Sequence, residues 1–317
     1  MQGLTAIPGV KVGHASDFEA LTGCTVVLCE KGAVAGVDIR GGATGTEEMD
    51  VMSPFHITTH VHAVVFAGGS AFGLEAASGV RRYLERKGVG FATSDAVVPI
   101  VPCAILYDLG IGKASARPTR EMGETAAVAA HGGAVEEGAV GAGTGATVGK
   151  ALGMKNAMKG GVGTYTVELP NGVRVSALVV VNAAGDVIDP STGRIVAGAR
   201  KTPQSREFAN SAELMKRRGA TGGLKRENTT LAVVATNARL DKVQATKVAQ
   251  MSHHGLVRAI SPVHTSMDGD LAIALSCGEL PAPVDALGVA AGEAVAAAIV
   301  RAVKAARGMG GVPGLAG

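Results

Sequence analysis

The chain has 317 residues, 47% of them apolar, which is enough for a sizeable core and predicts a single compact α/β domain. Its 30 basic and 27 acidic residues are mixed along the sequence, and the net charge of +3 excludes the basic footprint of a nucleic-acid-binding protein. The first eight residues lack a signal-peptide pattern, and no apolar run reaches the about 18 to 20 residues of a membrane span. We therefore expect a cytoplasmic protein with neither nucleic acid nor membrane as a partner.

Apolar runs bounded by glycine predict buried strands. These runs cover residues 24–29, 63–67, 173–181, 231–235 and 271–276. Between two β-branched segments, Asn171-Gly172 is typical of a tight hairpin turn, so part of the sheet is expected to be antiparallel. The four cysteines (Cys24, Cys29, Cys103 and Cys277) have neither metal nor redox spacing and are predicted to be buried thiols.

Helical periodicity alternates with these runs, as expected for layered helices and sheets. The predicted helices cover residues 73–86, 119–131, 207–218, 241–260 and 284–306. The polar, basic and glycine-containing segment 194–228 predicts a long surface excursion that ends in a mobile loop.

Residues 68–73 (Gly-Gly-Ser-Ala-Phe-Gly) resemble a nucleophile elbow, but Phe72 stands where that motif needs glycine. Ser70 is better interpreted as the N-cap of the following helix. Alternatively, Ser70 lines a substrate pocket together with Ala71 and Phe72.

The segment 141–150 is rich in glycine and ends in Lys150, like a phosphate-binding loop. A Walker loop needs glycine at Thr144 and Ser or Thr at Ala151, and the dinucleotide fingerprint needs glycine at Ala146. Nucleotide binding is therefore disfavoured, and no cofactor is predicted. Lys150 is either presented into a site by flexible backbone or is a solvated surface lysine.

Asn182 follows an apolar strand, where it either forms a turn or supplies an oxyanion donor. Asp268 and Asp270 precede another strand and allow three interpretations: a turn, a divalent-metal site, or carboxylates that orient a catalytic amine. Local sequence alone favours the turn. The pairs His60/His62 and His253/His254 lack a partner at metal spacing, and no metal is predicted.

At Asn228-Thr229 a charged loop meets an apolar run. If this peptide bond breaks, Thr229 acquires a free α-amine beside its hydroxyl, so that one residue holds a nucleophile and its base. A loop before the bond and a buried strand after it favour such a cut. The chain is therefore predicted to be a single catalytic domain, 1–317, that processes itself into fragments 1–228 and 229–317.

Several separated motifs occur together in one order: Pro-Gly-Val-Lys-Val-Gly-His at 8–14, Asp-Ile-Arg-Gly-Gly-Ala at 38–43, residues 67–75, the Asn-Thr-Thr junction, and His-Thr-Ser-Met-Asp-Gly-Asp at 264–270. In this respect the chain resembles the DmpA-type aminopeptidases, which include β-aminopeptidases, the pantetheine hydrolase ThnT and the nylon-oligomer hydrolases. The resemblance implies an αββα sandwich related to N-terminal-nucleophile hydrolases, cut before a Ser or Thr and assembled as a homotetramer.

Carried over by position, the resemblance implies that Thr229 is the nucleophile and Asn182 the oxyanion asparagine. Lys150 matches the catalytic lysine of the nylon-oligomer branch, and Asp268 and Asp270 match its aspartate pair. The function predicted is cleavage of amide bonds in small peptides, β-amino amides or aminohexanoate oligomers. The alternatives are hydrolysis of a metabolite amide such as a pantetheine-like compound, and an uncleaved protein that binds a small ligand.

Overall fold

The computed structural model describes residues 3–218 and 228–317, and these ranges contain sixteen strands and five α-helices. The strands are β1 (Val10–Asp17), β2 (Thr22–Ile39), β3 (Thr46–Glu47), β4 (Val61–Ala67), β5 (Phe91–Ala92), β6 (Val97–Val98), β7 (Cys103–Ile105), β8 (Thr147–Val148), β9 (Met158–Lys159), β10 (Gly161–Glu168), β11 (Arg174–Asn182), β12 (Asp186–Asp189), β13 (Arg194–Ala197), β14 (Thr229–Ala238), β15 (Ile260–Ser261) and β16 (Leu271–Leu280). The helices are α1 (Ala76–Arg86), α2 (Arg120–Ala129), α3 (Ser211–Arg218), α4 (Lys242–Ala259) and α5 (Val284–Ala305).

The long strand β2 belongs to two sheets. Its first half pairs with β1 and β4, and β7 and β3 continue this first sheet. Its second half pairs with β16, and the second sheet continues through β14 and β11 to β10. The register along β2 shifts between Leu28 and Ala33, where the strand passes from one sheet to the other. The pairs β4–β7 and β14–β16 are parallel, and the other pairs of these sheets are antiparallel.

Alternating side chains divide the core into three layers, as the two-residue period of a strand requires. Leu231 and Val233 of β14 lie in the layer between the two sheets, which also contains Phe66. Ala232 and Val234 face the opposite way, onto α4 and α5. On the far side, α1 and α2 cover the outer face of the first sheet. The predicted αββα sandwich is confirmed.

The five predicted helices are confirmed within four residues at their ends, and so are four of the five predicted strands. The strand predicted at 24–29 is longer than expected, because it continues to Ile39 as part of β2. The Asn-Gly hairpin joins β10 to β11, and both turn residues have positive φ, 61° at Asn171 and 75° at Gly172. The four cysteines are free thiols, with only Cys277 not fully buried.

The expectation that no apolar segment reaches the length of a membrane span needs correction. Helix α5, with 22 residues, is long and apolar enough to cross a membrane by length and composition. Most of this helix is buried, packed against α4 and against β10 and β11. It is a core helix of the sandwich, rich in alanine because close helix packing leaves little room for larger side chains.

The predicted surface excursion is anchored. The buried Asp186 carboxylate accepts hydrogen bonds from the Ala199 N–H at 2.8 Å and from the Ser211 N–H and hydroxyl, each at 2.6 Å. These contacts tie the start of α3 to β12, next to the end of β11. The loop predicted to be mobile falls on residues 219–227, which lie outside the described residues.

Candidate active site

Thr229 and Asn182 meet where two neighbouring strands end. In the antiparallel register of β11 and β14, Asn182 lies directly opposite Thr229. Opposed residues of an antiparallel pair point to the same face, with Cβ atoms about 4.5 to 5.5 Å apart. Both side chains share the face of Leu231, between the two sheets, and both residues are buried. The fold thus joins two residues that are 47 positions apart in the sequence.

The Thr229 hydroxyl contacts the peptide bond that precedes it. Thr229 Oγ1 donates a hydrogen bond to the carbonyl oxygen of Asn228 at 2.5 Å, and the Gly269 N–H donates to the same oxygen at 2.8 Å. A Cβ atom at Gly269 would lie only 2.7 Å from Thr229 Oγ1, so this position requires glycine. The carbonyl is therefore held beside a hydroxyl and polarised by a backbone donor.

Lys150 reaches Asn182 from the Gly-rich loop. Its Nζ donates to the main-chain oxygen and to Oδ1 of Asn182, both at 2.9 Å, and the Thr147 N–H donates to Oδ1 at 3.0 Å. On the other side of the amide, Asn182 Nδ2 donates to the Tyr107 carbonyl oxygen at 3.0 Å. The amide orientation is thus fixed, and a cationic group lies beside the residue opposite Thr229. The solvated-surface interpretation of Lys150 is not what the structure shows.

The same loop is held from beneath by Lys159. Its buried Nζ donates to the carbonyl oxygens of Thr144 and Ala146, each at 2.8 Å. Burial lowers the pKa of Lys159 to about 7, while the nearby Asp108 raises it. Asp108 itself accepts hydrogen bonds from the Thr22 hydroxyl and the Gly69 N–H, and burial raises its pKa.

Asp268 and Asp270 lie beside the start of β14 and have different partners. Asp268 Oδ2 accepts from the Thr265 hydroxyl at 2.5 Å and from the Thr265 N–H at 3.1 Å. Burial, and then the charge of Asp270, raise the pKa of Asp268. Asp270 Oδ1 accepts from the Thr230 N–H at 2.6 Å. Asp268 therefore shapes the turn, whereas Asp270 contacts the peptide unit that follows Thr229.

Two histidines complete the surroundings of Asp270. The His264 N–H and Nδ1 both contact Asp270 Oδ2, at 3.0 and 2.9 Å, and His264 Nε2 lies 3.1 Å from His253 Nδ1. Sequence reasoning considered His253 only as half of a metal pair with His254 and gave His264 no role. The sole local signal was that His264 opens the motif containing both aspartates.

A narrow cleft opens next to Lys150. It is lined by Tyr107, Asp108, Gly110, Ile111, Gly145, Thr147, Lys150 and Met154. Ser70, Ala71 and Phe72 are not among its lining residues. They lie on its flank, where the Ser70 N–H donates to the Leu106 carbonyl oxygen at 3.0 Å and the Arg117 guanidinium stacks on Phe72.

The predicted N-cap role of Ser70 is wrong. Ser70 has a φ of 54° and lies inside a 3-10 turn, Ser70–Glu75, whose N-cap is Gly69. A residue with this left-handed conformation does not have the extended backbone of an N-cap. Within residues 3–218 and 228–317, no cluster of three or more His, Cys, Asp or Glu side chains could hold a metal ion.

The four-layered αββα sandwich is a form of the N-terminal-nucleophile hydrolase fold. The profile of Peptidase family S58 matches residues 2–316, and the chain belongs to this family. It is a hydrolase that acts on amide bonds.

Three known proteins illustrate the similarity. A Mycobacterium bovis protein named as an uncharacterized aminopeptidase is 39% identical over 342 residues, covering 99% of this chain and 96% of that protein. The 6-aminohexanoate-oligomer endohydrolase of Kocuria sp. is 30% identical over 285 residues, covering 87% of this chain and 75% of that protein. The structure of the L-aminopeptidase D-Ala-esterase/amidase from Ochrobactrum anthropi, described as a variant of the Ntn hydrolase fold, superposes with a TM-score of 0.71 at 21% identity and covers 98% of this chain and 88% of that one.

Proposed function

We propose that the protein is a self-processing hydrolase in which Thr229 is the nucleophile, first on its own chain and then on substrate. The observation that carries this proposal is the contact of the Thr229 hydroxyl with the Asn228 carbonyl, at the end of a strand and opposite Asn182. The contact places the hydroxyl beside the carbonyl group whose carbon atom Oγ1 must attack in an intramolecular acyl shift.

In the precursor, Thr229 Oγ1 attacks the Asn228 carbonyl carbon, and the negative charge that develops on the carbonyl oxygen is stabilised by the Gly269 N–H. The C–N bond breaks as the nitrogen of Thr229 gains a proton, which leaves an ester between Asn228 and Thr229 Oγ1. Water then hydrolyses the ester, which leaves Asn228 with a carboxylate and restores the Thr229 hydroxyl beside the α-amine that the shift has freed. The products are fragments 1–228 and 229–317, held together by the strand pairs β11–β14 and β2–β16, each of which joins one fragment to the other.

In the processed enzyme, the α-amine of Thr229 accepts the proton of the hydroxyl as it attacks the substrate carbonyl. Such an amine has an ordinary pKa near about 8, which suits a general base close to neutral pH. Lys150 and Asn182, opposite Thr229 and next to the cleft, stabilise the oxyanion of the tetrahedral intermediate. Asp270 holds the Thr230 N–H, and Asp268 shapes the turn that presents Gly269.

Processing is tested by Thr229→Ala, with Thr230→Ala as the matched control. The neighbouring Thr230 side chain faces the helices and not Asn182, so its loss leaves the chemistry intact. We expect two bands for the wild type and for Thr230→Ala, one band for Thr229→Ala, and a small fragment whose mass begins at Thr229. An active wild type that remains a single chain of 317 residues would show that the nucleophile is not a chain terminus.

We further propose that the substrate is a small amide with a free amino end. The aminopeptidase named above supports this proposal through its 39% identity over nearly the whole chain. A panel of β-alanyl, D-alanyl, aminohexanoyl and pantetheine amides, each with its N-acetylated counterpart, tests it. We expect acetylation to abolish turnover. Equal turnover of the acetylated compounds would favour internal cleavage, the mode named for the Kocuria enzyme.

Assembly into a homotetramer of processed protomers is likewise proposed, on the family resemblance of the sequence. Phe55 and Ile57, 97% and 83% exposed in a single chain, are consistent with a further interface. Light scattering of the processed protein measures the assembly. The cytoplasmic location remains a prediction from the sequence.

A further inference from the structure

A line of hydrogen bonds runs from the surface to the strand that carries Thr229. Its outer end is Arg40, whose Nε donates to Asp38 Oδ2 at 2.5 Å. Asp38 meets the ring of His253, whose Nε2 lies 3.0 Å from the Asp38 carbonyl oxygen and 3.4 Å from Oδ2. His253 then contacts His264, which contacts Asp270, which accepts the Thr230 N–H. The exposed side-chain fraction falls from 49% at Arg40 to 1% at Asp270.

The contacts of the two histidine rings show how many N–H groups this line of hydrogen bonds requires. The Asp38 oxygens at one end and the ionised Asp270 carboxylate at the other are acceptors only. The two imidazole rings between them make three contacts, and each contact needs one N–H. Two neutral imidazoles carry only two N–H groups. The line therefore holds one proton more than two neutral histidines and a carboxylate contain.

The additional proton belongs to the inner end of the line. Burial lowers the pKa of His253 to about 4, so this ring is neutral at pH 7 and keeps its one hydrogen on Nε2, toward Asp38. His253 Nδ1 is then an acceptor for the His264 Nε2–H. His264 in turn presents its second ring nitrogen, Nδ1, to Asp270 Oδ2 at 2.9 Å.

We propose that His264, oriented by His253, is a positioning residue that holds the Asp270 carboxylate on the Thr230 N–H and so fixes the backbone of the nucleophile. This inference rests on the proposed role of Thr229. Without the imidazole, Asp270 Oδ2 would lose its contact with His264 Nδ1 and keep only the hydrogen bond from the backbone N–H of His264. The carboxylate would then be held less firmly beside β14, and the Thr229 hydroxyl would lose part of its alignment with a bound carbonyl.

The test uses the full-length, processed protein. His264→Asn suits the positive φ of 56° at this position, since asparagine tolerates the left-handed region. We expect its kcat to fall about 100-fold, the loss typical of a misalignment near 1 Å, with KM changed less than twofold. His254→Asn, on the exposed face of the same helix α4, should match the wild type in every respect.

A second pair of variants decides the question if His264→Asn folds poorly. His253→Asn keeps an acceptor at the Nδ1 position and should retain most of the turnover, whereas His253→Leu removes it and should lower kcat with little change in KM. A kcat equal to that of the wild type in His253→Leu or His264→Asn would overturn the inference. A wild type that is neither cut nor active would instead refute the proposed function, because the His254→Asn control and the wild type would then fail together.

Discussion

The Gly-rich loop at 141–150 lies between two polar clusters whose side chains have different hydrogen-bond partners. On one side, the cleft cluster (Tyr107, Thr147, Lys150 and Asn182) borders the cleft and centres on the Asn182 side chain. On the other side, the buried cluster (Thr22, Asp108, Thr144, Ala146 and Lys159) holds backbone groups. Each cluster contains one lysine. Lys150 meets an amide side chain opposite Thr229, and Lys159 meets two carbonyl oxygens of the loop.

This difference supports the proposal that Lys150 takes part in the chemistry and that Lys159 maintains the fold. A cationic group that acts on an oxyanion must border the space that the substrate enters, and of the two lysines Lys150 is the one that lines the cleft. A buried lysine that caps carbonyl oxygens removes two unsatisfied acceptors from the core. The three predictions below separate turnover from stability across the loop.

The largest effect is expected for Lys150→Met, which keeps most of the apolar stem and removes the ammonium group. We expect kcat to fall by about 100- to 1000-fold, the usual cost of one oxyanion donor. The free energy of unfolding should change by less than about 1 kcal/mol, because the side chain is only partly buried. Steady-state kinetics and urea denaturation measure the two quantities, and the exposed Lys155→Met is the matched control. A stability loss without a kinetic loss would assign Lys150 to the fold.

An intermediate effect is expected from Lys159→Met, and it depends on pH. Burial lowers the pKa of Lys159 from 10.5 to about 7. Between these two values the unfolded chain binds a proton that the folded chain has released, so the lysine's contribution to stability rises with pH and is lost as pH falls toward 7. From pH 7 to pH 9, wild-type stability should increase relative to the variant by about 2 kcal/mol.

The Lys159 measurement is best made by urea denaturation in the uncleaved Thr229→Ala background, where a single chain unfolds. Parallel pH curves for the two proteins would mean that Lys159 keeps its proton in the folded state. In that case the buried cluster would hold a charged pair with Asp108 throughout the neutral range.

The sequence predicts the layers of this fold well, because apolar strands and amphipathic helices carry their periods locally. The individual candidates Lys150, Asn182 and Thr229 are also found in the sequence, and the structure brings them together. Their pairing could not be predicted from local pattern. The register that opposes Asn182 to Thr229 depends on a sheet whose neighbouring strands are separated by 46 residues.

The residues that sequence analysis missed share one physical cause. Lys159 lies in a two-residue strand, with no local signal that distinguishes a buried lysine from a solvated one. His253 lies among the apolar positions of α4, where a histidine fits the helical stripe, and its partner His264 comes from the following turn. Each of these roles is defined by a contact with another segment of the chain.

The smallest effect is expected for Thr22→Val, which removes the hydroxyl donor of the buried cluster without changing the side-chain shape. Thr22 Oγ1 donates to Asp108 Oδ2 at 2.7 Å, and both residues are buried. Its loss should cost about 1 to 2 kcal/mol of unfolding free energy, since a buried carboxylate oxygen loses a partner. Turnover should remain within twofold, because Asn182 and Lys150 are untouched. The exposed Thr125→Val on α2 is the control, and urea denaturation in the Thr229→Ala background provides the measurement. A large kinetic loss with little change in stability would instead place Asp108, which also borders the cleft, on the catalytic side of the loop.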